Sequence, residues 1–288
     1  MRRRLLLGAP LLAAGCSPAT LLNALAPSAP VARSIPYGPG PRHTLDVYAP
    51  ADGPGPHPVA LFLYGGSWDT GDKSVYRFVG ASLAARGFVV VIPDYRLYPE
   101  VRYPDFLTDC AQAVLWTRTR AQDFGGDGRP PFVIGHSAGA YNAAMLALDG
   151  RWLHEVGLHP QRDLRGLVGI AGPYDFLPLD TDRLRQIFAP AVPIVSSQPI
   201  VHVGTGPAPP VLLLAGTADR TVLPGNTLRL AGALSTHGVP VQHRLYKGVD
   251  HITIVGAFAG SLRFLAPTLR DTVAFMRPTP ADAPPVNN

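Results

Sequence analysis

Short apolar runs that alternate with helical stretches make this 288-residue chain an α/β protein with a mostly parallel central sheet. Three observations carry that expectation. The apolar runs are apolar throughout rather than at every second residue, as strands buried on both faces are. Stretches of helical spacing separate them. A hydrophobic content of 47% against 16% charged residues is enough for a sizeable core.

Taken in order, "HPVALFLYGG" is a strand that stops at glycines, and residues 75–86 form a helix stopped by Gly87. "FVVVIPDY" is the next buried strand. A helix follows from near Pro104 to before Gly125. "PFVIGHS" runs as a third strand straight into the helix "AGAYNAAMLALD". "LRGLVGIAG", "PPVLLLAGTAD" and "VQHRLYKG" are three further strands, and at least one helix closes the chain after residue 252. Helices are expected on both faces of the sheet. Residues 173–209 break the rhythm with prolines and one short helix around "DTDRLRQIFAP". An insertion at the end of the sheet where ligands bind is a cap or lid.

The first sixteen residues, "MRRRLLLGAPLLAAGC", follow a different logic. A basic tip, an apolar run too short to span a bilayer and a small-residue end form an export signal. Its "LAAGC" end resembles the lipobox of bacterial lipoproteins, with Cys16 as the acylated residue and Ala13 where a larger aliphatic residue is usual. The expectation is therefore a membrane-anchored lipoprotein at the periplasm or cell surface, with plain secretion as the alternative. Residues 17–40 are expected as a Pro/Ala-rich linker, 41–278 as the folded domain and 279–288 as a disordered tail. Cys110 is the one other cysteine and reads as a buried small hydrophobe.

The net charge of +5 includes Arg2, Arg3 and Arg4, and later segments do not cluster their Lys and Arg. No basic stripe of the kind nucleic-acid binding needs is present, so no such partner is expected. No sequence motif for a metal or cofactor occurs either, and none is expected.

The chemistry centres on "GHSAG", residues 135–139, which ends a strand and opens a helix. This is the setting of a nucleophile elbow, in which a strained turn lifts the serine hydroxyl above the sheet. Ser137 is the nucleophile, and the Ala138 N–H points into the same space. A serine hydroxyl needs a base to take its proton. His251, in "KGVDH" after the last strand, is the candidate, ahead of His154, His159, His202, His237 and His243. Asp219, directly after the fifth strand, is the carboxylate to orient it, with Asp175 and Asp250 as weaker competitors.

The chain resembles an α/β-hydrolase of the carboxylesterase type, close to hormone-sensitive-lipase-like and kynurenine-formamidase-like esterases. The likeness spans roughly residues 40–277 and rests on "YGGSW", "DYRLYPE", "FGGD", "GHSAG", "GTADRTV" and "GVDH", in family order. It implies an α/β-hydrolase fold and a triad of Ser137, Asp219 and His251. Gly66, Ser67 and Ala138 then supply the oxyanion-hole N–H groups. Tyr64 stands where the family usually has histidine. Arg96 and Glu100 look structural, while Trp68 and Tyr141 either line a substrate pocket or pack. The expected activity is hydrolysis of a small-molecule carboxylic ester. Arylformamidase activity and a non-catalytic, membrane-tethered binding role are the alternatives.

Overall fold

A computed structural model describes residue 23 and residues 30–277, apart from 52 and 54. The expected leader 1–16 with Cys16 and the expected tail 279–288 lie outside the described residues. Eight strands form one sheet in the order β1-β2-β4-β3-β5-β6-β7-β8. They are β1 (Ala32–Pro36), β2 (Thr44–Tyr48), β3 (Val59–Leu63), β4 (Val89–Pro93), β5 (Phe132–His136), β6 (Gly166–Ile170), β7 (Val211–Gly216) and β8 (Val241–Tyr246). β1 and β2 are antiparallel to their neighbours, and β4, β3 and β5 to β8 run parallel.

Every residue of β3, β4, β5, β6 and β7 is buried, which is why these strands read as unbroken apolar runs. The main helices are α1 (Arg77–Ala84), α2 (Asp105–Arg120), α3 (Ala138–Leu148), α4 (Asp182–Phe188), α5 (Gly225–Thr236), α6 (His251–Gly256) and α7 (Thr268–Met276). α3 is buried at all eleven positions, so it is apolar all round rather than amphipathic.

The linker expected over 17–40 is corrected at its C-terminal end. Ala32–Pro36 pairs with β2, and the Ser34 N–H donates to Asp46 Oδ1 at 2.9 Å. The register shifts between Ala32 and Ile35 and the strand is largely exposed. An irregular edge strand of that kind has neither a continuous apolar run nor a period of two to be read.

Strand order places the site. The chain passes from β3 through α1 to β4 on one side, then returns through α2 to β5 on the other side of β3. Connections therefore diverge between β3 and β5. In an open parallel sheet, the crevice beyond the carboxyl ends of two such strands receives the ligand. "YGGSW" follows β3 and "GHSAG" closes β5.

Residues 173–209 stand between β6 and β7. Thr181 caps α4, its Oγ1 accepting from the Leu184 N–H at 3.2 Å. Two 3-10 turns follow, Ile194–Ser197 and Pro199–His202. This segment is fastened by aromatic packing: Phe188 stands edge-on to Trp68 at 4.9 Å and Phe176 crosses Phe188 at 5.5 Å.

Candidate active site

Ser137 sits on the turn from β5 to α3 with φ 55° and ψ −123°, a conformation that side chains rarely adopt. Close backbone approach enforces it. A Cβ on Gly139 would lie 2.0 Å from the Leu63 carbonyl oxygen, and one on Gly135 would lie 2.1 Å from the Gly139 oxygen. Only glycine fits at either place. The Ser137 N–H donates to Ile170 O at 2.9 Å, which ties the turn to β6.

The structure brings Ser137, His251 and Asp219 together. The Ser137 hydroxyl is 2.9 Å from His251 Nε2, and His251 Nδ1 is 2.8 Å from Asp219 Oδ2. Asp219 also accepts from the N–H groups of Thr221 and Val222, each at 2.9 Å. Burial alone would raise its pKa. The His251 hydrogen bond and the Val222 and Thr221 amides outweigh burial and hold the carboxyl below the usual range. An ionised Asp219 accepts a hydrogen bond from Nδ1–H, which leaves Nε2 free to accept from the serine.

The sequence placed His251 in a loop. It is instead the first residue of α6, and the residue before it explains why. Asp250 is the N-cap, with Oδ1 accepting from Ile252 N at 3.0 Å and Thr253 N at 2.7 Å. Its carboxylate is thus committed to the helix start. Asp175 pairs with Arg229 and is not part of the Ser137–His251 chain.

The loop after β3 supplies the second half of the site. Gly66 has φ 138°, and Ser67 and Trp68 have φ 51° and 60°. A Cβ on Gly66 would meet the Thr70 carbonyl oxygen at 2.1 Å. The Gly66 carbonyl accepts from the Asp69 and Thr70 N–H groups, so it is turned into its own loop. Among the described residues, no backbone carbonyl accepts from the Gly66 or Ser67 N–H. Ala138 N–H opens α3 and has no partner within the helix. Ser67, Ser137 and Ala138 line one cavity of about 490 Å³.

Beneath this loop lies a polar network that sequence reading missed. Tyr64 is fully buried and stacks on Tyr95 at 4.7 Å between ring centroids. Arg42 Nη2 donates to Tyr64 Oη at 2.7 Å and to Gly71 O at 2.8 Å, bracing both ends of the loop. Lys73 Nζ donates to Asp94 Oδ2 at 3.0 Å. The Tyr95 hydroxyl donates to the Tyr64 carbonyl at 2.7 Å. "DYRLYPE" carried part of this signal, in Asp94 and Tyr95. Its Arg96 clasps buried Asp109, with Nε and Nη2 on the carboxylate at 2.9 and 2.6 Å, while Glu100 is exposed.

The two pocket candidates separate. Trp68 lines the cavity with Phe176, Leu177 and Leu184 from the cap and Val222 and Leu223 from the Asp219 loop. The Trp68 indole N–H donates to Asn142 Oδ1 at 2.9 Å, fixing the ring. Tyr141 does not line the cavity. It stands edge-on behind Trp68 at 5.0 Å and donates to Ser197 O at 2.7 Å. Because α3 is buried all round, no apolar stripe could tell which of its faces meets the cavity. Asp175 and Arg229 form an ion pair on the cavity wall, and Asp180 lines the same cavity.

The sheet and this arrangement at its carboxyl edge define an α/β-hydrolase. The chain belongs to the BD-FAE family, whose model matches residues 45–234. That range takes in Gly66, Ser137 and Asp219 and ends before His251. Isoprenylcysteine alpha-carbonyl methylesterase ICME of Arabidopsis thaliana is 28% identical over 242 residues, 77% of this chain and 56% of its own length. Kynurenine formamidase of Salmo salar is 30% identical over 146 residues, 51% of this chain and 47% of its own. The chain spans about half the length of these curated relatives. Among solved structures, the apo form of Thermogutta terrifontis esterase 2 superposes with a TM-score of 0.71 at 24% identity, covering 87% of this chain and 95% of that one. That likeness is one of fold.

Proposed function

We propose that the protein hydrolyses carboxylic esters through Ser137, His251 and Asp219. The observation that carries the reading is the hydrogen-bonded chain from Ser137 Oγ through the His251 ring to Asp219, at a cavity edged by the Ser67 and Ala138 amides. Ser137 Oγ attacks the ester carbonyl carbon while its proton passes to His251 Nε2. Asp219 holds the imidazole and stabilises the imidazolium. Charge develops on the carbonyl oxygen and is met by the N–H groups of Gly66, Ser67 and Ala138, each worth about 3 kcal/mol. The tetrahedral species collapses, the carbon–alkoxy bond breaks, and the leaving alcohol takes the proton from His251. Water then attacks the acyl-serine, giving its proton to His251, and the carboxylic acid departs as Ser137 is re-protonated.

The ICME relative, named as a methylesterase and matched over most of this chain, supports ester over amide cleavage. The shorter match to kynurenine formamidase supports a second reading, formamide hydrolysis by the same three residues. Parallel assays on p-nitrophenyl acetate and N-formylkynurenine rank the two. Ser137→Ala is expected to abolish both activities and to lose labelling by a fluorophosphonate probe. Hydrolysis at the wild-type rate by Ser137→Ala would refute the mechanism. Absence of labelling in the wild-type protein would favour a non-catalytic binding role. Acylation of Cys16, and with it membrane anchoring, belongs to the same proposal. Mass spectrometry of the natively expressed protein is expected to find a lipid-modified Cys16 at the N-terminus.

A further inference from the structure

We propose that His136, the residue before the nucleophile, is a positioning residue that holds the main-chain carbonyl of His251 and so fixes the base over Ser137. The inference rests on the reading of Ser137 and His251 given above.

The elbow pattern asks for glycines and a serine and leaves the position of His136 open. Here it carries an imidazole that is 2% exposed, and burying its polar nitrogens is costly unless both find partners. His136 Nε2 lies 3.0 Å from the His251 carbonyl oxygen. A carbonyl only accepts, so Nε2 bears the proton and Nδ1 is the acceptor. Tyr76 Oη stands 3.5 Å from Nδ1, and a Cβ on Gly65 would lie 3.1 Å from the same nitrogen, so the ring packs directly against Gly65. Gly65 opens the loop that carries the Gly66 and Ser67 amides. One neutral ring therefore touches three parts of the site: the elbow it belongs to, the base helix α6 and the start of the oxyanion loop.

The ring must also stay neutral. It lies 4.9 Å from the His251 ring, centroid to centroid. Burial first, and then His251, push its pKa down to about 3, against smaller opposing contributions from the bond to the His251 carbonyl and from Asp219. A second cation there would repel the imidazolium that forms at His251 during catalysis. A histidine kept only to fill space could aim its proton at any carbonyl. This one aims it at the base's own backbone, while Asp219 holds the base's ring from the other side.

The test uses full-length His136→Gln, His136→Asn and His136→Leu with Ser137→Ala as reference, assayed on p-nitrophenyl acetate with thermal melts alongside. The Gln amide nitrogen reaches the place of Nε2, whereas the Asn amide nitrogen falls near Nδ1. His136→Asn and His136→Leu are expected to lower kcat by about 10–100-fold, since small misplacement of a reacting group costs that much. KM should stay within about twofold, as it does when only transition-state geometry suffers. His136→Gln is expected to recover at least roughly a third of kcat, because the donor is restored. The inference is overturned if His136→Asn works at the wild-type rate, or if His136→Gln is as slow as His136→Asn, while Ser137→Ala is inactive. Should His136→Leu fail to fold, the Gln–Asn comparison still decides. Activity in Ser137→Ala would instead sink the mechanism on which the inference rests.

Discussion

Tyr64 Oη donates to Asp94 Oδ1 at 3.0 Å while accepting from Arg42 at 2.7 Å, so one phenol bridges an acid and a base under the loop that follows β3. Burial drives the phenol pKa far above its ordinary value, which keeps the hydroxyl protonated and able to donate. Tyr64→Phe leaves Asp94 and Arg42 each short of a partner. The expected cost is about 1–3 kcal/mol in urea denaturation, the penalty for unsatisfied buried groups. Arg42 also grips Gly71, so kcat is expected to fall with stability. An unchanged midpoint and rate would show that the hydroxyl has no bracing role.

Asp219 gives the pH dependence a sign. Its folded pKa lies below the unfolded one, so the unfolded chain binds the proton first as pH falls. Its contribution is fully present above the ordinary carboxylate range and is lost as pH drops through the folded value. Asp219→Asn is expected to flatten the acid side of the stability profile between those two points, measured by denaturation at several pH values. The same variant should lower kcat by about 10⁴-fold, since the amide favours the wrong imidazole tautomer.

Gly139→Ala places a Cβ where the Leu63 carbonyl oxygen already stands. Neither backbone can yield without moving β3 or the elbow. Destabilisation at the upper end of the roughly 1–3 kcal/mol typical of overpacking is expected, with loss of fluorophosphonate labelling in the fraction that folds. Gly232→Ala, which meets nothing within 4 Å on the middle of α5, is the matched control. It should keep both the label and the fold.

Trp68 and Tyr141 touch each other but are expected to respond differently. Trp68→Ala removes the wall of the cavity. The ratio of kcat/KM for octanoyl over acetyl esters should rise by about tenfold, comparable to a one-methylene discrimination. Tyr141→Phe removes only the bond to Ser197 O and should cost about 1 kcal/mol of stability without changing that ratio. An altered chain-length profile in Tyr141→Phe would restore it to the pocket.

How much of this was legible in the sequence follows from where each signal resides. Strands β3 to β7 were readable because both their faces are covered, and that forces every position to be apolar. Ser137 was readable because the close approaches at Gly135 and Gly139 demand glycine at fixed offsets. Asp219 and His251 follow strand ends, so their neighbourhood came from order along the chain. β1 was not readable, since an exposed edge strand with a register shift carries no pattern. The Arg42–Tyr64–Asp94 network was hidden because its members meet only when three separate segments are stacked. His136 sat inside a recognised motif at one of the two positions whose identity the motif leaves free.

The strand order also has a temporal meaning. Ser137, its elbow and the loop after β3 all belong to the first half of the chain, gathered around β3 and β5. The hydrogen-bond partner of Ser137, His251, arrives only after β8, more than a hundred residues later. A ribosome-bound chain therefore carries Ser137 and the loop after β3 first, gains the rest of the cavity lining over residues 173–229, and receives the proposed base last. On the proposed mechanism, reactivity at Ser137 is the last property this protein acquires as it is made.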